Sequence, residues 1–194
     1  MRGFGEEPFR VDPRRVGPEG CASKPRLYVV GEAPGAREAE SRRPFVGPAG
    51  GALREMLAQA EVDAACLRLA NAIPFRPVKP VANRKPRNRA PTAREIATLG
   101  RSVLADIART RPAVILALGS AAARLFGITE RIQQARKKGL RFRGVPLKVT
   151  YHPAYVRRFG GRGSDLWLQA VADIRSAWAI SAKDSAPRGL ARRP

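Results

Sequence analysis

Three polar features stand in apolar surroundings, where they could recognise a ligand or take part in a reaction. His152, the single histidine of the chain, follows an apolar run, and a neutral imidazole there can donate to a developing oxyanion. Asn71 lies inside another apolar run, and its amide can match an adjacent donor and acceptor on a base edge. The turn at residues 31–35 can aim backbone N–H groups at a bound acceptor. Each feature also has a structural interpretation, as a sheet-edge cap, a buried amide or a strand-to-loop turn.

An aromatic residue and the form of the glycine-rich turn narrow the kind of ligand. Phe45 lies in the proline- and glycine-containing segment 43–50, where it can either stack on a flat group or anchor the loop in the core. The turn at 31–35 lacks the Gly-Lys-Ser/Thr ending of a phosphate-binding loop and the Gly-x-Gly-x-x-Gly spacing of a dinucleotide site. Nucleotide cofactors are therefore not expected.

Strands and helices must bring these residues together. Short apolar runs rich in Leu, Val and Ile predict four buried strands, at residues 26–30, 68–73, 113–118 and 147–151. Helical periodicity lies between and after them, at 51–60, after Thr92, at 120–126 and after Ser164. The alternation predicts an α/β fold, a three-layer α/β/α sandwich with a central four-stranded parallel sheet. Because ligands bind beyond the carboxyl ends of such strands, the polar features are expected to meet there.

Capping residues and composition set the boundaries of these elements. Thr92 and Glu95 have the spacing of a capping box, and Ser120 and Ser164 are predicted N-caps of the last two helices. The two ends of the chain lack periodicity. They predict an N-terminal arm over residues 1–24 and a basic tail over 181–194, on either side of one domain at 25–180.

The charge balance points to a polyanionic partner. The 194 residues include 37 Lys and Arg against 16 Asp and Glu, a formal net charge of +21. Residues 76–94 are rich in basic residues and prolines, which predicts a solvated basic loop that contacts phosphates.

No apolar run is long enough for a membrane, and residues 1–15 lack the apolar core of a secretory signal. A cytoplasmic, monomeric protein is predicted. With two cysteines and one histidine, no protein-bound metal is expected.

Six motifs, taken in order, resemble the family 4 branch of the uracil-DNA glycosylase superfamily over about residues 26–178. They are GEAPG at 31–35, RPFVGPAG at 43–50, ANA around Asn71, Arg76-Pro77, ALGS at 117–120 and HPAY at 152–155. Their joint order is far more specific than any one of them. The resemblance implies a monofunctional DNA repair enzyme that hydrolyses the N-glycosidic bond of uracil in DNA and leaves an abasic site.

The resemblance also implies roles for individual residues. Phe45 would stack on uracil, Asn71 would read its edge, and His152 would hydrogen-bond the carbonyl O2. Glu32 or Glu38 would stabilise positive charge on the sugar, with His152 acting on the departing base. The uracil-binding set further includes Gly31, Ala33 and Gly35. Segment 154–158 resembles a loop that enters the minor groove, with Tyr155 and Val156 as wedges. The predicted DNA contacts are Arg43, Arg76, Arg84, Lys85, Ser120, Tyr155, Val156, Arg157 and Arg158.

The chain departs from that family at several positions. The family usually carries a four-cysteine iron–sulfur cluster, but Phe75 and Leu99 stand at two aligned positions, and no Cys-x-x-Cys precedes residue 26. The cluster is predicted to be absent, with apolar packing in its place. Ala39 and Arg42 replace a usual aspartate and glycine, which puts the catalytic strength in question. The covalent-histidine branch is not expected, because there is no second histidine. Two alternatives stay open: a non-catalytic or slow binder of uracil or abasic DNA, and a glycosylase for hypoxanthine or xanthine.

Overall fold

The computed structural model describes residues 9–184, so the first eight residues of the predicted arm and residues 185–194 of the predicted tail lie outside the described residues. The strands of this part are β1 Glu19–Gly20, β2 Leu27–Gly31, β3 Leu67–Asn71, β4 Val78–Val81, β5 Arg84–Asn88, β6 Val114–Leu118, β7 Leu140–Phe142 and β8 Val145–Thr150. The helices are α1 Ala36–Ser41, α2 Pro48–Gln59, α3 Ala93–Leu99, α4 Arg101–Thr110, α5 Gly119–Leu125, α6 Ile132–Ala135, α7 Pro153–Phe159 and α8 Asp165–Asp184, with a short 3-10 turn at Ala64–Cys66.

Six strands form one central sheet, in the order β1-β3-β2-β6-β8-β7. The four inner strands run parallel, and they are the four strands predicted from the apolar runs. Strands β1 and β7 extend the sheet in the antiparallel direction at its two edges. The parallel centre of the predicted sheet is therefore confirmed, but the sheet has six strands rather than four.

Helices cover both faces of the sheet. Leu27 and Val29 of β2 pack into one core that includes residues of α2 and α8. Tyr28 and Val30, which alternate with them, pack into a second core that includes residues of α3, α4 and α5. Because β2 is buried on both faces, its residues are apolar or glycine except Tyr28, whose hydroxyl donates to Asp106 at 2.7 Å. The three-layer α/β/α arrangement is confirmed.

The predicted helix starts are right at two of three places. The hydroxyl of Thr92 accepts a bond from the N–H of Glu95 at 3.1 Å, and the Glu95 carboxylate accepts one from the N–H of Thr92 at 2.8 Å, which completes the capping box. Ser164 accepts a bond from the N–H of Trp167 at 3.2 Å at the start of α8. Ser120 is not an N-cap, because α5 begins one residue earlier, at Gly119, whose φ is +80°.

Residues 76–94 contain a β-hairpin, so the prediction of an irregular loop was wrong for β4 and β5. The two strands pair antiparallel, with a shift in register between Lys79 and Val81 that accommodates Pro80. All five residues of β5 are exposed. Such a hairpin is held by backbone pairing with little apolar burial, which explains why hydrophobic patterning does not reveal it.

The described part of the predicted arm is hydrogen-bonded to the domain. Backbone N–H groups of Asp12 and Val16 donate to the carbonyl oxygens of Arg76 and Pro74, each at 2.8 Å, and Val16 is buried. These bonds hold residues 74–76, which lead into the hairpin, against the N-terminal segment. At the other end, α8 continues to Asp184, beyond the predicted boundary at residue 180. Within residues 9–184, no helix is long and apolar enough to cross a membrane.

Candidate active site

The carboxyl ends of the inner strands surround a cavity of about 260 Å³, which we call the first cavity. Strands β2 and β3 end side by side, with Gly31 opposite Asn71, and β8 leads through Tyr151 to His152. The convergence of polar residues expected from the parallel sheet is therefore present. The first cavity is lined by Glu32, Ala33, Pro34, Gly35, Glu38, Phe45, Pro48, Ala49, Asn71, Asn88, Arg89, His152 and Ala154.

Phe45 forms a rigid aromatic wall of this cavity. Its side chain is 5% exposed, and its backbone takes a left-handed φ of +57°, a strained conformation for a residue other than glycine. The guanidinium of Arg54 donates to the carbonyl oxygen of Phe45 at 2.8 Å and holds the loop. A Cβ on Gly50 would lie 1.7 Å from that same oxygen, so glycine is required there. The ring is fixed before any ligand binds.

Gly31 allows Phe45 and Asn71 to approach each other. A Cβ at Gly31 would lie 2.6 Å from Oδ1 of Asn71 and 2.6 Å from Cζ of the Phe45 ring. Gly31 itself is absent from the cavity wall, so its role is to leave room for the two side chains that form it. Gly31 is therefore not placed for the direct uracil contact that was predicted for it. Ala33 and Gly35, predicted to bind uracil with it, do line the cavity.

Asn71 lines the first cavity, and its amide has no partner among the described residues. The residue is 7% exposed, and its side chain makes no hydrogen bond to any residue in the part of the chain that the structure describes. Its amide atoms are not among the fully buried side-chain atoms without a partner, so they keep access to the space of the first cavity. The amide of Asn71 is therefore available to a bound ligand.

His152 presents one defined hydrogen-bond donor. Its Nδ1 accepts a bond from the N–H of Ala154 at 3.2 Å and caps α7, so the neutral ring carries its proton on Nε2. Burial lowers the pKa of His152 to about 4, because desolvation disfavours the imidazolium. A Cβ on Gly119 would lie 2.9 Å from Cβ of His152, so Gly119 packs closely behind the histidine. At neutral pH the site holds a neutral imidazole that donates from Nε2.

The two candidate carboxylates have different environments. Both oxygens of Glu38 accept backbone hydrogen bonds, from Gly35 at 3.1 Å and from Gly47 at 2.7 Å, so Glu38 ties the glycine-rich turn to the Phe45 loop. The carboxylate of Glu32 accepts no hydrogen bond from any residue between 9 and 184. Burial raises the pKa of Glu32, because the charged form is desolvated. Glu32 is free to face a substrate, whereas Glu38 is occupied.

The hairpin supplies two wall residues that the sequence analysis missed. Oδ1 of Asn88 accepts a bond from Nε of Arg76 at 2.6 Å, which leaves its amide NH₂ for the cavity. Its Nδ2 lies 3.4 Å from where a Cβ of Gly35 would be. Arg89 forms an ion pair of 2.6 Å with the buried carboxylate of Glu95. No local pattern marks Asn88, because only the fold of the hairpin brings it to the cavity.

The predicted DNA contacts fall into three groups. The exposed residues are Arg84, Lys85, Ser120, Tyr155, Arg157 and Arg158. Arg43 pairs with Glu19 at 2.6 Å, and Arg76 bonds the hairpin, so both already have protein partners. Val156 is fully buried, and its prediction as a wedge was wrong. The reason is helical phase: α7 begins at Pro153 and turns Val156 inward, while Tyr155 stays about half exposed.

No group of three or more His, Cys, Asp or Glu side chains in the described chain could hold a metal ion. Cys21 and Cys66 are both free thiols. Phe75 and Leu99, at two of the positions aligned with cluster ligands, are partly buried apolar residues. These residues do not fit a four-thiolate iron–sulfur cluster.

Comparison with known proteins identifies relatives over most of the chain. The family model described as the uracil DNA glycosylase superfamily matches residues 18–175. The chain is 32% identical over 162 residues to a type-4 uracil-DNA glycosylase of Thermotoga maritima, which covers 82% of this chain and 79% of that relative. It is 34% identical over 144 residues to one of Pyrobaculum aerophilum, covering 68% of each chain. It is 36% identical over 143 residues to one of Archaeoglobus fulgidus, covering 69% and 67%.

A solved structure shares the fold at low sequence identity. The SMUG2 protein of Pedobacter heparinus superposes with a TM-score of 0.55 at 13% identity, over 82% of this chain and 77% of that chain. At this identity the match describes the arrangement of sheet and helices alone.

Proposed function

Because this chain belongs to the uracil DNA glycosylase superfamily, we propose that it hydrolyses the N-glycosidic bond of uracil in DNA and leaves an abasic site. The observation that carries the proposal is the unpartnered amide of Asn71, which lines the first cavity beside the fixed ring of Phe45. A flat base with a donor and an acceptor on one edge satisfies both. The type-4 uracil-DNA glycosylases among its relatives support the choice of uracil.

Recognition of the base requires that the nucleotide leave the stack. Once extrahelical, uracil stacks on Phe45, and the Asn71 amide pairs with its edge. Nε2 of His152 then donates to the carbonyl O2, where negative charge develops as the base departs. A neutral donor suits this task, because it stabilises the anion without first taking up a proton.

Bond cleavage also develops positive charge on the sugar. We assign the stabilising carboxylate to Glu32, since both oxygens of Glu38 are held by backbone N–H groups. The free NH₂ of Asn88 faces the same cavity, where it can position the attacking water. Water adds to C1′ of the sugar, uracil leaves with the bonding electron pair, and a proton from that water ends on the base. No lysine lines the first cavity, in keeping with a monofunctional reaction.

Both family departures near α1 lie outside the first cavity. Ala39 is fully buried and is not part of the cavity wall, so its methyl group leaves the wall unchanged. Arg42 ends α1 in the left-handed region, at a φ of +56°. A glycine is unstrained in this conformation, whereas the arginine costs about 1 kcal/mol of stability.

An iron–sulfur cluster has no place in this proposal. The sequence contains two cysteines, and a four-thiolate cluster needs four. Backbone hydrogen bonds join residues 12–16 to residues 74–76, and Val16 is buried there. We propose that these contacts, rather than a cluster, hold the segment around residue 75 in place. DNA that contains uracil or an abasic site is the proposed partner. The monomeric state, the cytoplasmic location and the division at residues 25 and 180 stay predictions from the sequence.

The test is incubation with a uracil-containing oligonucleotide, followed by alkali and measurement of strand scission. Scission at uracil is expected, with none when thymine replaces it. His152→Ala should slow single-turnover release about 100-fold or more, and Asn71→Ala should weaken uracil recognition about tenfold or more. No scission at excess wild-type enzyme would overturn the proposal. Preferential release of hypoxanthine or xanthine would show that one of those bases, rather than uracil, is the substrate. Tight binding without scission would indicate a non-catalytic binder.

The matched pair Glu32→Gln and Glu38→Gln tests the assignment of the carboxylates. Glu32→Gln should slow release about 100-fold at unchanged stability. Glu38→Gln should instead lower the free energy of unfolding by about 1–2 kcal/mol, because one backbone N–H loses an ionised acceptor. A larger loss of rate in folded Glu38→Gln than in Glu32→Gln would reverse the assignment.

A further inference from the structure

A second cavity lies against the first and shares two of its walls. Its volume is about 380 Å³, and both Glu32 and His152 line it as well as the first cavity. The roles proposed for the first cavity do not use this space. Anything bound there would lie next to the groups proposed to act on uracil.

Aromatic side chains form one wall of the second cavity. The rings of Tyr151 and Tyr155 are stacked within 18° of parallel, with centroids 6.1 Å apart. Tyr151 is held in place by the guanidinium of Arg136, which lies 5.3 Å from its ring centroid and is itself fixed by Asp173 at 2.8 Å. Tyr155 is 48% exposed. The ring of Phe159 also contacts Tyr155, tilted by 43° with its centroid 4.8 Å away. The wall therefore offers a half-exposed tyrosine ring, held by two aromatic neighbours, against which a flat group can pack.

The remaining wall residues combine apolar and hydrogen-bonding groups. Ile132 and Leu166 supply apolar surface, and Ser120, Gln133 and Arg131 supply donors at the rim. Arg131 is exposed, in a protein with a formal net charge of +21. An aromatic platform with an adjacent cation is the arrangement by which proteins bind a base and its phosphate in single-stranded nucleic acid.

We propose that the second cavity binds the base of the nucleotide next to uracil in the same strand, on one defined side. This inference rests on the proposed function, because it places uracil in the first cavity. The shared walls make consecutive nucleotides the fitting occupants: a strand that delivers one base beyond Glu32 and His152 brings its neighbour to the other side of the same residues. Tyr155 then stacks on the neighbouring base rather than filling a gap in the duplex.

The test uses single-stranded oligonucleotides, in which there is no opposing base. They carry 2′-fluoro-2′-deoxyuridine, whose fluorine opposes positive charge on the sugar and prevents cleavage during a binding measurement. The neighbouring nucleotide on the 5′ side, or on the 3′ side, is replaced by a tetrahydrofuran abasic analogue. Fluorescence anisotropy should show binding weakened about tenfold by the loss of the base on one side only.

Variants of Tyr155 connect this effect to the cavity. Tyr155→Ala should weaken binding of the intact oligonucleotide about tenfold and leave binding of the sensitive abasic oligonucleotide unchanged, because the stacking partner is already gone. Tyr155→Phe keeps the ring and should bind as wild type. The matched control is Leu168→Ala, which removes an exposed apolar side chain that is not in the second cavity and should change neither oligonucleotide.

The outcomes separate this inference from the proposed function. Equal binding of all three oligonucleotides by wild type overturns the second-cavity inference, whether or not uracil is released in the alkali assay. A loss in Tyr155→Ala that is confined to duplex DNA overturns it too, since that would assign Tyr155 to the opposing strand. A one-sided loss without uracil release from any cleavable substrate would retain the second site and overturn the proposed function.

Discussion

The pH dependence of stability is the sharpest physical consequence of the partly buried side chain of His152. Burial lowers the pKa of His152 to about 4, whereas an imidazole in an unfolded chain titrates near 6.5. As the pH falls from 7 to 5, the unfolded chain takes up a proton at this position and the folded protein does not. Lower pH therefore favours the unfolded state, and the stabilising contribution is present above about pH 6.5 and declines as the pH falls toward 4.

The two pKa values set the size of this effect. Integrating proton uptake between pH 7 and pH 5 gives a loss of about 2 kcal/mol in the free energy of unfolding from His152 alone. His152→Asn removes the titrating group but keeps a side-chain oxygen that can accept the N–H bond now made to Nδ1. The stability difference between wild type and His152→Asn should therefore shift by about 2 kcal/mol over this range.

Urea unfolding followed by circular dichroism at pH 7, 6 and 5 measures that difference directly. Other titrating groups act in both proteins, so their contributions cancel. A difference that stays constant with pH would mean that folding leaves the pKa of His152 near 6.5. A difference that grows in favour of wild type at low pH would mean that the folded protein stabilises the imidazolium. The first result would refute the lowered pKa of His152, and the second would refute the neutral Nε2 donor assigned to the proposed reaction.

Three further changes test the positioning of the site and its charge. Gly31→Ala would push a methyl group against Asn71 and Phe45, and it should reduce single-turnover uracil release about 100-fold; an unchanged rate would contradict the close packing of these residues. Glu95→Ala removes both the buried ion pair with Arg89 and the capping-box acceptor for the N–H of Thr92, and it should lower the free energy of unfolding by about 3 kcal/mol in urea, whereas a loss within error would mean that neither interaction contributes. Replacing both Arg84 and Lys85 of the exposed hairpin by alanine should reduce the slope of log K against log salt for duplex DNA by about 2, and an unaltered slope would place the hairpin away from phosphate.

The central strands were predictable because burial on both faces leaves a continuous apolar run in the sequence. The edge strands were not, since β1 has two residues and β7 has three, and both depend on pairing with a neighbour already in place. The hairpin β4–β5 was hidden by its prolines and charges. Proline content correctly excludes a helix there, but it does not exclude a short exposed pair of strands.

In the candidate site, the residues at strand ends were predictable because a parallel sheet brings those ends together. Asn71 and His152 follow from this rule. The role of Glu38 does not, because it depends on Gly47, nine residues later, folding back to meet the same carboxylate. Asn88 reaches the first cavity only through the hairpin, and the burial of Val156 depends on the residue at which α7 begins.

Glu32 and His152 line both cavities, so a base in the second cavity should affect the rate of uracil release as well as the affinity for the oligonucleotide. Glu32 acts through its negative charge and His152 through a hydrogen bond to a developing anion, and both interactions strengthen when water is excluded. A base in the second cavity would remove water from the side of Glu32 and His152 that uracil does not cover. Uracil release at saturating enzyme should therefore fall about tenfold when the sensitive neighbour is abasic, beyond any loss of binding. Equal saturated rates for the two substrates would limit the second cavity to affinity and assign shielding of these residues to the first cavity alone.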